Sequence, residues 1–164
     1  NAVQEGTATV GVLPIPEDSE EAAWWPTLAG IAQGGEVSVC ARLPFAPIAP
    51  VNGDSALCVA AMTPDESGDD RSFFVLRTNP EVSRARLNDA IAAAGIKPVR
   101  LIGMGVPMDG ASVFLAELEE FAGPDDSRIA RLTDPDNGIA ESAIFLGVYA
   151  TPFSSDDIAD RGEF

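Results

Sequence analysis

The chain has 164 residues, of which 46% are hydrophobic, and its 10 basic and 26 acidic side chains give a net charge of −16. This charge disfavours nucleic acid and anionic lipid as partners, because both repel a negative surface. The sequence offers no run of roughly 20 apolar residues such as a membrane span needs and no basic, then apolar leader, so we expect a folded cytoplasmic protein.

The first third of the chain predicts a small layer of strands and one helix. Apolar runs predict a buried strand over residues 10–15 and further strands over residues 36–43 and 56–61. Residues 20–32 have a helical pattern that Pro26 is expected to interrupt. These elements predict an α/β unit that ends near an acidic hinge at residues 64–70.

The rest of the chain has apolar segments in the order strand, helix, strand, strand, helix, strand. Leu87 and Ile91 share one face of the first of these helices, and Gly95 supplies its C-terminal cap. This order is the split βαβ arrangement of ferredoxin-like folds. The six elements are predicted at residues 72–78, 83–94, 98–104, 112–119, 127–132 and 143–149.

Several kinds of chemistry are excluded by composition. The sequence contains no histidine, so Ser-His-Asp and Cys-His systems cannot form, and the usual zinc sites lose a common ligand. Cys40 and Cys58 lie on predicted strands and are expected to be buried free thiols. Residues 134–138 resemble a calcium loop, but their glycine comes one position early, so we predict a turn. We therefore predict neither a metal nor a cofactor.

The charged side chains of the second half are predicted to be mainly structural. Four carboxylates near a strand end predict a hydrated surface, and they are Glu117, Glu119, Glu120 and Asp125. Four basic residues form a cluster for which salt bridges are favoured over a carboxylated ligand; these are Arg84, Arg86, Lys97 and Arg100.

Three short segments carry a resemblance to a known family. Residues 11–15 match a Gly-Val-x-Pro-Ile segment, residues 69–74 resemble a junction that precedes a strand, and Gly95-Ile96 matches a Gly-Ile pair after a helix. Together they resemble the C-terminal part of prephenate dehydratases, where a lobe of the catalytic domain precedes an ACT domain. The resemblance implies a truncated dehydratase-like α/β lobe at residues 1–69, a ferredoxin-like βαββαβ ACT domain at residues 70–153, and a flexible tail at residues 154–164.

The catalytic signature of the family is missing from the matching position. Where the family carries Thr-Arg-Phe, this chain has Ser55, Ala56 and Leu57. An alanine supplies neither the charge nor the hydrogen bonds that the carboxylates of prephenate require. Only residues 46–54 join two strands between which the family inserts its second lobe. The resemblance therefore implies that this chain has no catalytic residues of the dehydratase type.

The family's effector motifs are also replaced. Its Gly-Ala-Leu turn corresponds to the neighbourhood of Glu81 and Val82, and its Glu-Ser-Arg-Pro segment corresponds to Ile102, Gly103, Met104 and Gly105. The resemblance makes these six positions the candidate ligand-binding residues. They lack the charged pair that would hold phenylalanine, but the two glycines permit the close approach of another small ligand.

The function implied by the resemblance is a non-catalytic regulatory or dimerisation region of an aromatic amino acid (phenylalanine) biosynthesis protein. We expect a homodimer with a small amino or keto acid as effector. Similar regions follow a chorismate mutase domain in the same polypeptide, and the first residue, Asn1, is not an initiator methionine. The alternatives are a divergent prephenate dehydratase or a chorismate mutase whose catalytic part is missing here, and a stand-alone small-molecule-binding ACT module.

Overall fold

A computed structural model describes residues 2–18, 23–33, 37–46, 55–104 and 110–154. These residues form seven strands and three helices. The seven strands form one sheet with the order β1-β3-β2-β7-β4-β6-β5. The elements are β1 (Val10–Pro14), α1 (Trp25–Ala32), β2 (Ser38–Leu43), β3 (Ala56–Ala60), β4 (Asp70–Thr78), α2 (Arg84–Ala93), β5 (Pro98–Gly103), β6 (Ser112–Glu119), α3 (Ser127–Leu132) and β7 (Ala140–Ala150).

The sheet runs without interruption through both halves of the chain. Strands β5, β6, β4 and β7 pair antiparallel with one another, as do β1, β3 and β2. The two groups meet where β2 runs parallel to β7, with Val39 opposite Gly147. Sheet hydrogen bonding therefore crosses the predicted boundary at residue 69, while the division into domains stays a prediction.

Each face of the sheet has its own hydrophobic core. On one face, α1 covers residues such as Phe73, Leu115 and Leu146 with the buried side chain of Trp25. On the other face, α2 and α3 cover a second cluster that includes Phe74. Successive side chains of a strand point to opposite faces, so alternate residues of β4 and β6 belong to the cores on opposite faces of the sheet. We call the two sides the α1 face and the α2/α3 face.

Most predicted elements are confirmed. Strand β6 and helix α3 coincide with residues 112–119 and 127–132, and the predicted order of strands and helices is the observed one. Ser83 caps α2, because its side chain accepts a hydrogen bond from the N–H of Arg86. Gly95 follows α2 with a φ of +86°, where a glycine is favoured.

Two predictions about the first half need correction. Strand β1 is an edge strand rather than a buried one, and Val10 and Val12 are 49% and 64% exposed. Pro26 lies in the first turn of α1, where its missing N–H is not needed, so it begins the helix instead of interrupting it. The first residues of the predicted helix, 20–22, lie outside the described residues.

Several smaller predictions are settled by the structure. Cys40 and Cys58 are free thiols, as predicted, but only Cys58 is buried and Cys40 is partly exposed. Residues 134–138 form the predicted turn, in which the Asp134 carboxylate accepts the backbone N–H groups of Asp136 and Asn137. No helix in the described part of the chain is both long enough and apolar enough to span a membrane. Residues 155–164 of the predicted tail lie outside the described residues.

Candidate functional site

Six polar side chains cross one end of the α1 face and form what we call the polar row. Each belongs to a different strand or to the residue just before it. In the spatial order of the strands from β3 to β5, the members are Ser55, Arg42, Tyr149, Arg71, Glu117 and Arg100. The row exists because the first half of the chain extends the sheet of the second half.

Glu117 is the buried centre of the row. Glu117 is only 5% exposed, and its Oε1 accepts a hydrogen bond of 2.5 Å from the hydroxyl of Tyr149. Its Oε2 accepts two bonds from Arg100, of 3.1 Å from Nε and 2.7 Å from Nη2. A buried carboxylate needs such partners. The prediction that Glu117 belongs to a hydrated surface is wrong, since α1 and the segment before it cover this face.

Tyr149 links the buried carboxylate to Arg42. Burial, together with the neighbouring Glu117 carboxylate, raises the pKa of Tyr149 to about 12, while the nearby Arg42 guanidinium partly offsets this shift. The phenol therefore stays protonated at neutral pH and donates its hydrogen to Glu117. Arg100 is anchored on the far side, where its Nη1 donates a 2.8 Å hydrogen bond to the carbonyl of Pro16.

A cavity of about 330 Å³, which we call the arginine pocket, opens beside the polar row. Its polar lining consists of Arg42, Ser55, Arg71, Glu117, Tyr149 and Thr151, and its apolar lining consists of Pro44, Val99, Pro152 and Phe153. The Phe153 ring packs edge-on against Phe45 with centroids 5.3 Å apart. The Phe153 N–H also donates to the Phe45 carbonyl at 2.9 Å, which holds this wall in place.

The arginine pocket concentrates positive charge in an acidic protein. The nearest ion pair of Arg71 is a long one of 3.7 Å to Glu119, which also pairs with Lys97 at 2.7 Å. Within the described part of the chain, Arg42 forms no ion pair, and its guanidinium group interacts with the Tyr149 hydroxyl. Two guanidinium groups that face one cavity, with little carboxylate to neutralise them, favour an anionic ligand.

The predicted motif residues Ser55, Ala56 and Leu57 lie in three different environments. Ser55 lines the arginine pocket, whereas Ala56 is paired within the sheet and Leu57 is fully buried in the core. Two arginines that the sequence analysis did not single out, Arg42 and Arg71, line the pocket beside Ser55. Their only signal was a charged residue near the end of an apolar strand.

The six predicted ligand-binding positions do not share one face of the sheet. Val82 packs in the core of the α2/α3 face, whereas Ile102 and Met104 belong to the core of the α1 face. Glu81 is exposed, and Gly105 lies outside the described residues. A side chain at Gly103 would approach Phe114 to 3.1 Å and Arg84 to 3.7 Å. Whether any of these residues contacts a ligand stays a prediction.

The predicted basic cluster is resolved into separate ion pairs. Arg84 pairs with Asp18 at 3.0 Å, Lys97 with Glu119, and Arg100 with Glu117. The prediction that salt bridges engage these groups is confirmed for all three. The Arg84 guanidinium also holds the pKa of the Asp18 carboxyl below its usual value.

A second cavity, of about 670 Å³, lies between the end of α1 and the loop before α3. Its lining is mainly apolar, with Met62, Phe121 and Ile144 among the residues. One of its charged residues, Asp126, is held by Arg128 at 2.8 Å. Ligand sites combine an apolar lining with a few convergent polar groups that fix orientation. The arginine pocket has both, with two guanidinium groups beside an apolar wall, so we take it as the candidate site. In the described ranges, no three potential metal ligands of the His, Cys, Asp or Glu type cluster together.

Comparison with known proteins identifies the fold. No family model matches the sequence, and no curated protein matches it. Among solved structures, the chain is similar to GqqA, described as a novel type of quorum-quenching acylase, with 19% identity, a TM-score of 0.62, and coverage of 99% of this chain and 80% of that one.

Two prephenate dehydratases are also similar. The enzyme from Arthrobacter aurescens in complex with L-Phe has 17% identity and a TM-score of 0.57 over 95% of this chain and 78% of its own. The enzyme from Streptococcus mutans has 17% identity and a TM-score of 0.55 over 92% of this chain and 79% of its own. The chain therefore has a prephenate dehydratase-like α/β fold.

Proposed function

We propose that this chain is a non-catalytic regulatory region that binds a small carboxylate in the arginine pocket. The observation that carries the proposal is the convergence of Arg42 from β2 and Arg71 from β4 on one cavity with an apolar wall. A guanidinium group matches the planar geometry of a carboxylate and forms two parallel hydrogen bonds with it. Val99 and Phe153 supply surface for an aromatic or aliphatic group.

The architecture supports a regulatory module of the ACT type in the second half. The order strand, helix, strand, strand, helix, strand occurs there together with the antiparallel strand order β7-β4-β6-β5, which is that of ferredoxin-like folds. The similarity to prephenate dehydratases supports a dehydratase-like origin for the first half. The fold alone does not determine function, so the proposal depends on the arginine pocket.

The site favours binding over catalysis. Both oxygens of Glu117 already accept hydrogen bonds, and the raised pKa of Tyr149 makes its phenol a weak acid at neutral pH. Hydrolysis of an acyl group through a serine would need an activated nucleophile, and no hydrogen bond from Ser55 to an activating group occurs among the described residues. The arginines beside Ser55 do favour one second candidate, a divergent prephenate dehydratase.

The wider setting belongs to the same proposal. We place the chain in an aromatic amino acid biosynthesis protein of the cytoplasm, as a homodimer, with a chorismate mutase domain in the same polypeptide. A stand-alone binding module would use the same pocket, so the binding experiment below applies to both settings. Sequencing the gene upstream of Asn1 distinguishes them, because the stand-alone module would have no helical mutase domain there.

The binding proposal predicts the effect of Arg42→Gln. Calorimetry of the wild-type chain with phenylpyruvate and phenylalanine is expected to show binding of at least one of them. Arg42→Gln should weaken that binding at least about tenfold, because a hydrogen bond to a charged group contributes roughly 1.5–3 kcal/mol. Arg86→Gln is the matched control: Arg86 is exposed on α2, away from the pocket, and its loss should change affinity less than about twofold.

The same preparation separates binding from turnover. Wild-type chain incubated with prephenate should release no phenylpyruvate beyond the uncatalysed rate. Release that Arg42→Gln abolishes would replace the regulatory proposal with the dehydratase alternative. Absence of heat with every aromatic acid would refute the proposed ligand class.

A further inference from the structure

We infer that a second copy of this chain packs on the outward surface of β1, β3 and β2, and that this contact is the dimer interface. The inference rests on the homodimer of the proposed function and names its surface. It comes from an uncovered apolar part of the sheet, from the absence of charge there, and from neighbouring rows of large and small side chains.

The α2/α3 face of the sheet lies uncovered over β1, β3 and β2. The core that α2 and α3 cover contains residues of β4, β5, β6 and β7 but none of the first three strands. Val10, Val12 and Leu43 point to this side of the sheet and are exposed. Within the described part of the chain, the first three strands therefore have a covering layer on the α1 face alone.

The uncovered surface is apolar along all three strands. An antiparallel sheet with one face in water carries polar side chains on that face, but here the outward positions are apolar apart from Ser38. The Ser38 hydroxyl donates to the Met62 carbonyl at 2.6 Å, so its hydrogen is already used within the chain. We call the outward apolar residues the outer patch, and its members are Val10, Val12, Ala41, Leu43, Ala56, Cys58 and Ala60. Contiguous exposed apolar surface marks contact with another molecule.

The absence of charge on the outer patch favours a second copy as that molecule. The chain has a net charge of −16, so two copies repel one another where their charged surfaces meet. Copies that meet at the uncharged outer patch avoid placing like charges opposite each other. A basic or acidic partner, in contrast, would find no charged side chain on the patch with which to pair.

The shape of the outer patch is self-complementary. Val10 and Val12 form a raised row on β1, and Ala60 and Cys58, directly opposite them on β3, form a low row. Cys58 and Ala60 are only 9% and 8% exposed, so the low row lies between taller neighbours. A two-fold axis between the two rows would seat the valines of each copy on the low row of its partner. The same residues would then serve on both sides of the contact.

The size of the outer patch sets the expected strength of the dimer. Neighbouring strands lie about 4.8 Å apart and rise about 3.3 Å per residue, so three strands of about five residues cover roughly 14 Å by 17 Å. A standard interface buries roughly 800 Å² on each partner, which is more than this patch provides. We therefore expect a reversible dimer with a dissociation constant on the order of 1–100 μM.

Sedimentation velocity of the full chain tests the interface. The wild-type chain should shift from monomer to dimer as its concentration rises from about 1 to about 500 μM. Val12→Lys should weaken the dimer at least about tenfold, because it places a charge against the low row of the partner. Val99→Lys is the matched control: Val99 is also exposed but lies on β5, at the opposite edge of the sheet, so this variant should change the dissociation constant less than about twofold.

Ala60→Leu tests the same contact without adding charge. The larger side chain would fill the low row where the valines of the partner sit, so we again expect the dimer to weaken at least about tenfold. Ala60 belongs to neither hydrophobic core, so the added atoms project away from both. Thermal melts identify which of the variants remain folded, and either variant alone is sufficient for the test.

The possible results separate the interface from the ligand proposal. We expect Val12→Lys and Ala60→Leu to be monomeric and still to bind phenylpyruvate in calorimetry. A wild-type chain that stays monomeric at about 500 μM would overturn the inference, and phenylpyruvate binding by that monomer would leave the ligand proposal standing. A dimer that only Val99→Lys disrupts would place the interface at the β5 edge and would also overturn the inference. A wild-type dimer that binds no aromatic acid would refute the proposed ligand class and support the interface.

Discussion

Replacing Gly147 with alanine is expected to lower the free energy of unfolding by at least about 3 kcal/mol and to abolish ligand binding. Gly147 has a φ of +131° and faces Val39 across the parallel contact between β2 and β7. A Cβ there would overlap the backbone of Val39. Backbone strain costs roughly 1–3 kcal/mol and overpacking a similar amount. If β2 and β7 move apart to relieve the overlap, Arg42 on β2 separates from Tyr149 on β7, which disrupts the arginine pocket.

Two other glycines provide matched controls in urea denaturation experiments. Gly30→Ala lies in α1 with open space around it, so it should stabilise the chain by roughly 0.5–1 kcal/mol. Gly95→Ala has a φ of +86° but also open space, so only backbone strain of roughly 1–2 kcal/mol applies. If Gly147→Ala proved no more destabilising than Gly95→Ala, the contact between β2 and β7 would not have the structural role we give it.

The second large effect concerns the buried carboxylate of the polar row. Glu117→Gln is expected to destabilise the chain by about 2 kcal/mol, because it removes the buried negative charge to which Arg100 and Tyr149 donate hydrogen bonds. Glu119→Gln is the control two positions along the same strand. Glu119 is more exposed and pairs with Lys97 near the surface, so solvent screens that pair and Glu119→Gln should destabilise the chain much less than Glu117→Gln.

The same substitution has a spectroscopic signature. Tyr149 is the only tyrosine in the sequence, so the absorbance change of tyrosinate in a pH titration reports this site alone. Wild-type chain should titrate near a pKa of about 12. In Glu117→Gln the value should fall toward the ordinary tyrosine pKa of about 10 and remain above it, because burial is the largest cause of the shift. An unchanged pKa would contradict the contact between Tyr149 and Glu117.

The direction of the pH effect on stability follows from that shift. The unfolded chain loses the phenolic proton near pH 10, whereas the folded chain retains it to about pH 12. The folded state therefore binds more protons in this window, and stability falls as the pH rises. The contribution of Tyr149 is complete below pH 10 and is lost between about pH 10 and pH 12.

The elements of the second half could be predicted because their apolar periodicity is local. Leu87 and Ile91 mark α2 by helical spacing, and β6 alternates Phe114 and Ala116 with Leu115. The burial of β1 could not be predicted in the same way. Val10 and Val12 look like core residues in the sequence, but burial of a strand depends on whether it is central or at an edge of the sheet.

The candidate site depends on strand order, which no local pattern contains. Arg42, Arg71 and Tyr149 are distant in sequence and become neighbours because β2 packs beside β7, and β7 beside β4. Glu117 reads as a surface residue from its charge, yet the layer formed by α1 and the preceding segment covers it. Ala56 shows that the arginine of the family motif is missing, but it does not reveal that Arg42 and Arg71 line a pocket nearby.

An NMR titration of isotopically labelled chain with phenylpyruvate tests the location of the ligand most directly. We predict shifts of the side-chain Nε–Hε signals of Arg42 and Arg71 and of the backbone amides of Thr151 and Phe153, with saturation at the affinity measured by calorimetry. Shifts confined to Glu81, Val82 and residues 102–105, which are the other predicted ligand-binding positions, would contradict the account.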